Sequence, residues 1–138
     1  MAAENPNVTI LKKLYQDWHE TKGQSVDSFM ELMADTIAFS SLANGAQGAE
    51  FTKPCACPAD VRGYFDGLLE NWTMLHYRVD DYIADGDRVV AVGHTAWTNK
   101  ATGKTCETPK VDVWSFSDGR ITSFAEYYDT AALFAAAT

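Results

Sequence analysis

The sequence predicts an α+β domain in which a long, curled antiparallel sheet forms a half-barrel and three helices ahead of it close one side. Two observations carry this. Before residue 73, apolar residues recur at three- and four-residue steps over three stretches; beyond it, helical spacing gives way to four long strand-like segments separated by short glycine-containing turns. A chain of 138 residues, 46% hydrophobic and 12% aromatic, can bury one core, so a single domain over 1–138 is expected.

Val8, Leu11, Leu14, Tyr15 and Trp18 mark the buried stripe of a first helix that ends near Lys22-Gly23. Ser25 is placed to cap a second helix whose inner side carries Val26, Phe29, Met30 and Met33, the two helices forming a hairpin. A short strand over 37–41 follows. Residues 42–57 lose all periodicity, and a connection of that length reads as a lid or binding loop. Pro58 opens a third helix with Val61, Tyr64, Phe65, Leu68, Leu69 and Trp72 on its apolar side. Strands are predicted over 74–84, 88–99, 104–117 and 120–129. The turns Asp85-Gly86-Asp87, Ala101-Thr102-Gly103 and Asp118-Gly119 are hairpin signals that pair sequence neighbours in space. Asp129 is an N-cap for a short terminal helix starting at Thr130.

Composition narrows the function. A formal charge of −8 without a Lys/Arg stripe opposes nucleic acid or an anionic membrane as partner. No apolar run approaches the roughly 20 residues that span a bilayer, and residues 1–7 lack a charged-then-apolar leader, so a soluble, cytoplasmic protein is expected. Cys55, Cys57 and Cys106 are odd in number and read as reduced thiols. Cys55-Ala56-Cys57 has one further cysteine to join it, and His19, His76 and His94 lack ligand spacing; neither a metal nor a cofactor is expected.

The chemistry-bearing residues concentrate in the last quarter. Asp112, Trp114 and Phe116 alternate on one strand, and Phe124, Glu126 and Tyr128 on the next, so inward-facing aromatics bring two carboxyl groups to the same sheet face. Removal from water penalises a carboxylate, leaving the group protonated as a donor or poised as a base. A one-residue slip of register turns Asp112 to solvent, which the two aromatics beside it oppose. Glu126 is either a general base or the partner of Arg78, Arg88 or Arg120 at the sheet rim. His94 is a candidate catalyst competing with a structural, hydrogen-bonded role. Tyr15 is either a core tyrosine bonded to a backbone carbonyl or a site residue. Trp18, Phe39, Ser41, Tyr64, Trp97, Trp114, Phe124 and Tyr128 are the expected substrate-binding wall.

The order of elements, the phrase Phe116-Ser117-Asp118-Gly119-Arg120-Ile121 and the following Glu126-Tyr127-Tyr128-Asp129 resemble the SnoaL-like polyketide cyclases. They also resemble the wider superfamily of ketosteroid isomerases, limonene epoxide hydrolases and nuclear transport factor 2. The resemblance implies a cone-shaped sheet, an apolar pocket between sheet and helices, and a homodimer. In ketosteroid isomerases a tyrosine of the first helix and a protonated aspartic acid, four residues before a strand phenylalanine, hold the substrate oxyanion. Tyr15, and Asp112 with Phe116, stand at the matching places. Two such donors in a dry cavity stabilise developing charge by about 2.7–4 kcal/mol each. The family's carboxylate base falls at Ser41, and of the epoxide hydrolase triad only the final-strand acid is matched, by Glu126; the Arg and Asp positions fall near Gly93 and Thr95.

The expected function is that of a cofactor-free isomerase, cyclase or dehydratase moving a proton on a small apolar, carbonyl-bearing molecule, with Glu126 as base and Tyr15 and Asp112 at the oxyanion. The alternatives are a non-catalytic module binding a small hydrophobic ligand, and an interaction scaffold without a cavity.

Overall fold

A computed structural model describes residues 3–138; Met1 and Ala2, where the reading of residues 1–7 begins, lie outside the described residues. Helix α1 (Pro6–Glu20) opens as its sequence directs, with Pro6 in the first turn and the Asn5 side chain accepting the Asn7 amide at 2.9 Å. It stops at Thr21, after which the chain reverses through Lys22 and Gly23, and the Gly23 amide returns to the Trp18 carbonyl at 2.9 Å. Helix α2 (Val26–Met30) is one short turn-and-a-half rather than a full amphipathic helix. Met33, expected on its inner side, instead begins strand β1 (Met33–Ser41), which is longer than the 37–41 predicted. Val26, Phe29 and Met33 are buried in both readings, so their spacing could not separate helix from strand. Ser25 holds the capping position, but its buried hydroxyl has no partner among the described residues.

Helix α3 (Pro58–Asn71) precedes β2 (Trp72–Asp85), β3 (Arg88–Asn99), β4 (Thr105–Ser117), β5 (Arg120–Tyr128) and the terminal helix α4 (Thr130–Ala137). Trp72, placed by its spacing in the third helix, is the first residue of β2. The Asp129 carboxylate accepts the Ala132 amide at 3.0 Å and caps α4. Strands β2 to β5 form successive antiparallel hairpins, and Asp118 and Gly119 both take positive φ, 49° and 76°, as a tight two-residue turn demands.

The sheet order is β1-β5-β4-β3-β2, and β1 departs from the hairpin scheme by pairing with β5 in parallel, setting Phe39 beside Phe124 and Ser41 beside Glu126. The register of β2 against β3 shifts twice, between Met74 and His76 and between Val79 and Asp81. Such bulges sharpen the local twist, and the sheet is curled and unclosed. At the second shift Gly93 lies so close to β2 that an added Cβ would stand 1.8 Å from the Arg78 carbonyl oxygen.

The helices pack into the concave side. Trp18 meets Phe29, Phe65 and Trp97, and Phe29 stacks on Trp114 with ring centroids 6.0 Å apart and planes 8° from parallel. Each such buried aromatic stabilises the fold by about 1.5–3 kcal/mol. Among the described residues, no helix is long and apolar enough to cross a membrane.

Candidate functional site

Strand β4 positions the site by simple alternation. Cys106, Thr108, Lys110, Asp112, Trp114 and Phe116 are all buried on its concave face, with a lysine and an aspartate in an otherwise uncharged row. On β5, Phe124 and Glu126 face the same way, and Glu126 stands directly opposite Asp112 in the ladder. Tyr15 and Trp18 come from α1, Tyr64 from α3 and Tyr77 from β2, and with Trp97 and Trp114 they enclose a cavity of about 90 Å³. The 42–57 segment contributes Phe51 and Thr52, around a 3-10 turn, and α4 contributes Leu133.

The Lys110 ammonium is the hub. Its three hydrogens have three partners: Asp112 Oδ1 at 2.5 Å, Glu126 Oε2 at 2.8 Å and the Tyr77 hydroxyl at 2.9 Å. The rings of Tyr77, Phe124 and Tyr128 lie 5.2, 5.7 and 6.0 Å from its nitrogen. Burial alone pulls such an ammonium toward the neutral form, but Asp112 and Glu126 together outweigh it and raise the Lys110 pKa well above the ordinary value. Lysine is therefore a cation here with no free lone pair, which excludes it as a nucleophile in this arrangement.

Asp112 Oδ2 accepts from two phenols, Tyr15 at 2.6 Å and Tyr77 by a very short bond, while the Trp114 indole donates to the Tyr15 oxygen at 2.7 Å. Tyr64 donates to Glu126 Oε1 at 2.6 Å. Burial, followed by the neighbouring carboxylates, holds Tyr15, Tyr64 and Tyr77 well above the usual phenol range, so all three are fixed donors at neutral pH. At the cavity edge Tyr128 shares a 2.6 Å bond with Ser41, and the Ala43 amide donates to its oxygen. The Trp97 indole is bonded to Thr95, whereas the Trp72 indole N–H is buried without a partner among the described residues.

The structure brings Tyr15, Asp112 and Glu126 to one cavity with Trp18, Phe39, Tyr64, Trp97, Trp114, Phe124 and Tyr128. Ser41 is buried just behind the wall, in contact with it through Tyr128. His94 is not there: Thr95 and Trp97 face the cavity, so strand alternation puts His94 on the opposite face of the sheet. Tyr15 and Asp112 meet as donor and acceptor, not as two donors side by side. The ion partner of Glu126 is Lys110 rather than a rim arginine; Arg78 pairs with Asp80, and Arg120 bonds the Glu31 carbonyl. Lys110 and Tyr77 escaped the sequence reading. The alternation that placed Asp112 inward also places Lys110 inward, two residues earlier, and that signal was available. For Tyr77 it was hidden by the bulge at Met74/His76.

A family model described as the SnoaL-like domain matches residues 12–124, and the chain belongs to that family. No curated protein matches the sequence. Among known structures, the chain is similar to an NTF2-like protein of unknown function from Burkholderia pseudomallei (TM-score 0.82, 17% identity, 98% of this chain and 99% of that one). It is similar also to an NTF2-like protein from Burkholderia thailandensis (TM-score 0.78, 23% identity, 98% and 99%). A third is IdmH of Streptomyces antibioticus, a candidate polyketide cyclase (TM-score 0.70, 17% identity, 95% and 97%). At these identities the likeness is one of fold.

Proposed function

We propose that this protein is a cofactor-free enzyme that moves a proton on a small, apolar, carbonyl-bearing molecule, in the manner of an isomerase, cyclase or dehydratase, with Glu126 as the base. The observation that carries this is the difference between the two acids. Asp112 accepts three donors, two phenols on Oδ2 and Lys110 on Oδ1, whereas Glu126 accepts two, one on each oxygen, and so has more of its lone pairs open to a substrate proton at an apolar cavity wall. Glu126 takes the proton from the carbon beside the carbonyl, and the C–H electron pair moves through the enolate onto the carbonyl oxygen. For this the Tyr15 hydroxyl turns its single proton from Asp112 Oδ2 to that oxygen, Tyr77 and Lys110 staying on Asp112, and the Lys110 charge favours the anion. Where a C=C is conjugated with the enolate, return of the proton from Glu126 to the far carbon completes an isomerisation; where the enolate carbon instead attacks a second carbonyl of the same molecule, that carbonyl's π pair becomes an alkoxide, which takes the proton back from Glu126 and completes a cyclisation.

Hydrogen–deuterium exchange beside the carbonyl of small cyclic enones, followed by proton NMR in heavy water, tests the step. The protein should accelerate exchange over buffer, and Glu126→Gln should return it to the buffer rate; acceleration surviving in that variant rejects Glu126 as base.

A second reading, a binding module for a small hydrophobic ligand, is favoured by Trp72. Its orphan indole N–H belongs to a residue of the cavity wall and is suited to an acceptor on a bound molecule, with no chemistry required. Saturable quenching of tryptophan fluorescence by the same enones, without accelerated exchange for any of them, selects this reading.

A further inference from the structure

The convex face of the sheet carries a second cluster of chemically capable side chains that plays no part in the cavity. Ala96 of β3 pairs with His76 of β2 on one side and with Glu107 of β4 on the other, and His94 lies two residues along β3 on the same face. Three adjacent strands thus present two imidazoles and a carboxylate around the small, buried side chain of Ala96. His76 Nε2 stands 2.9 Å from His94 Nδ1, the rings are 5.2 Å apart and 13° from parallel, and one donor atom from each of the three residues lies within 4.8 Å of the others.

We propose that His76, His94 and Glu107 form a binding site for a single divalent transition-metal ion of the zinc class, with an open coordination position toward solvent. Two imidazole nitrogens sharing a tetrahedral ion at about 2.0–2.1 Å stand about 3.3 Å apart. The present separation is a few tenths of an ångström short of that, within reach of a small ring rotation. Two nitrogens and one oxygen suit zinc and its neighbours in the series, while calcium and magnesium demand oxygen sets. The ligands sit on strands, so the protein holds them near one another before the ion arrives. The bulge between Met74 and His76 inserts Leu75 and so turns His76 onto the face that carries His94. Glu107 is exposed and the histidines are half-buried, so one side of the ion remains open to water, as in catalytic and not structural zinc sites.

Isothermal titration of the full chain with zinc chloride tests the site, alongside visible absorption of the cobalt(II) form. One saturable equivalent is expected, with a cobalt spectrum lacking thiolate charge transfer, because Cys57, the least buried thiol, is not a ligand. His76→Gln, His94→Gln and Glu107→Gln should each weaken binding at least about tenfold, the range seen even for loss of outer-shell partners. Each variant should keep its far-UV circular dichroism, and Cys57→Ser should bind as wild type. Absence of saturable uptake, undiminished uptake by the His76→Gln/His94→Gln double variant, or loss of uptake in Cys57→Ser overturns the assignment.

Discussion

Asp112 and Glu126 face each other as direct cross-strand partners on β4 and β5, and both side chains turn into the same largely apolar cavity. Like charges so opposed repel. What makes the pair tolerable is Lys110, on the same face two residues before Asp112 and bonded to both acids. The cavity is built around a cation inserted between two anions, with three phenols donating to the same carboxylates.

Removing that cation leaves two carboxylates without their counter-charge. Lys110→Met should destabilise the fold by about 3–5 kcal/mol, the range for breaking a buried ion pair. Urea unfolding monitored by circular dichroism measures it. The triple change Lys110→Met, Asp112→Asn, Glu126→Gln should recover a large part of the loss, since no buried charge is then left unpaired.

Tyr77 both donates to Asp112 and accepts from Lys110, so Tyr77→Phe breaks two charge-assisted bonds at once. A loss of about 1.5–3 kcal/mol is expected. Tyr15→Phe removes the other donor to the same oxygen. A double-mutant cycle should show the two changes to be non-additive, because each alters the charge seen by the other.

Alkaline pH should unfold the protein cooperatively. Lys110 and the three cavity tyrosines have folded pKa values raised above their unfolded ones, about 10.4 for lysine and about 10 for tyrosine. Groups of this kind give their full stabilisation below the unfolded values and lose it as pH rises toward the folded ones, because the unfolded chain releases protons first. Stability should therefore fall steeply above about pH 10. Phenolate absorbance should show Tyr15, Tyr64 and Tyr77 ionising together with loss of tertiary structure.

Gly93→Ala should be disruptive despite its small size. The added carbon would collide with the backbone of Arg78, which cannot rotate away as a side chain does. About 3 kcal/mol is expected, the upper range for overpacking, read as a lowered urea midpoint with accelerated amide exchange in β2 and β3.

The parts of the fold legible in the sequence are those fixed by local chemistry. The three hairpin turns, the Pro58 helix start and the Asp129 cap lie where turn and capping residues place them. Parallel pairing of β1 with β5 carries no local signal, because nothing between residues 33 and 41 announces a partner some 85 residues away. The site was half legible for a related reason. Alternation on β4 and β5 located Asp112 and Glu126, but a lysine is ordinarily a surface residue, and Lys110 becomes comprehensible only once both acids are seen flanking it. His76 and His94, distant in sequence, are neighbours through strand pairing alone.

The parallel partnership of β1 and β5 also governs timing during synthesis. Phe39 and Ser41 leave the ribosome long before Phe124 and Glu126, so the β1 groups that face β5 stay bonded to water until some 85 further residues have been made. The acid we assign to proton abstraction sits in the segment that ends this wait, and so the nascent chain acquires its edge strand and its reactive carboxylate in the same late event.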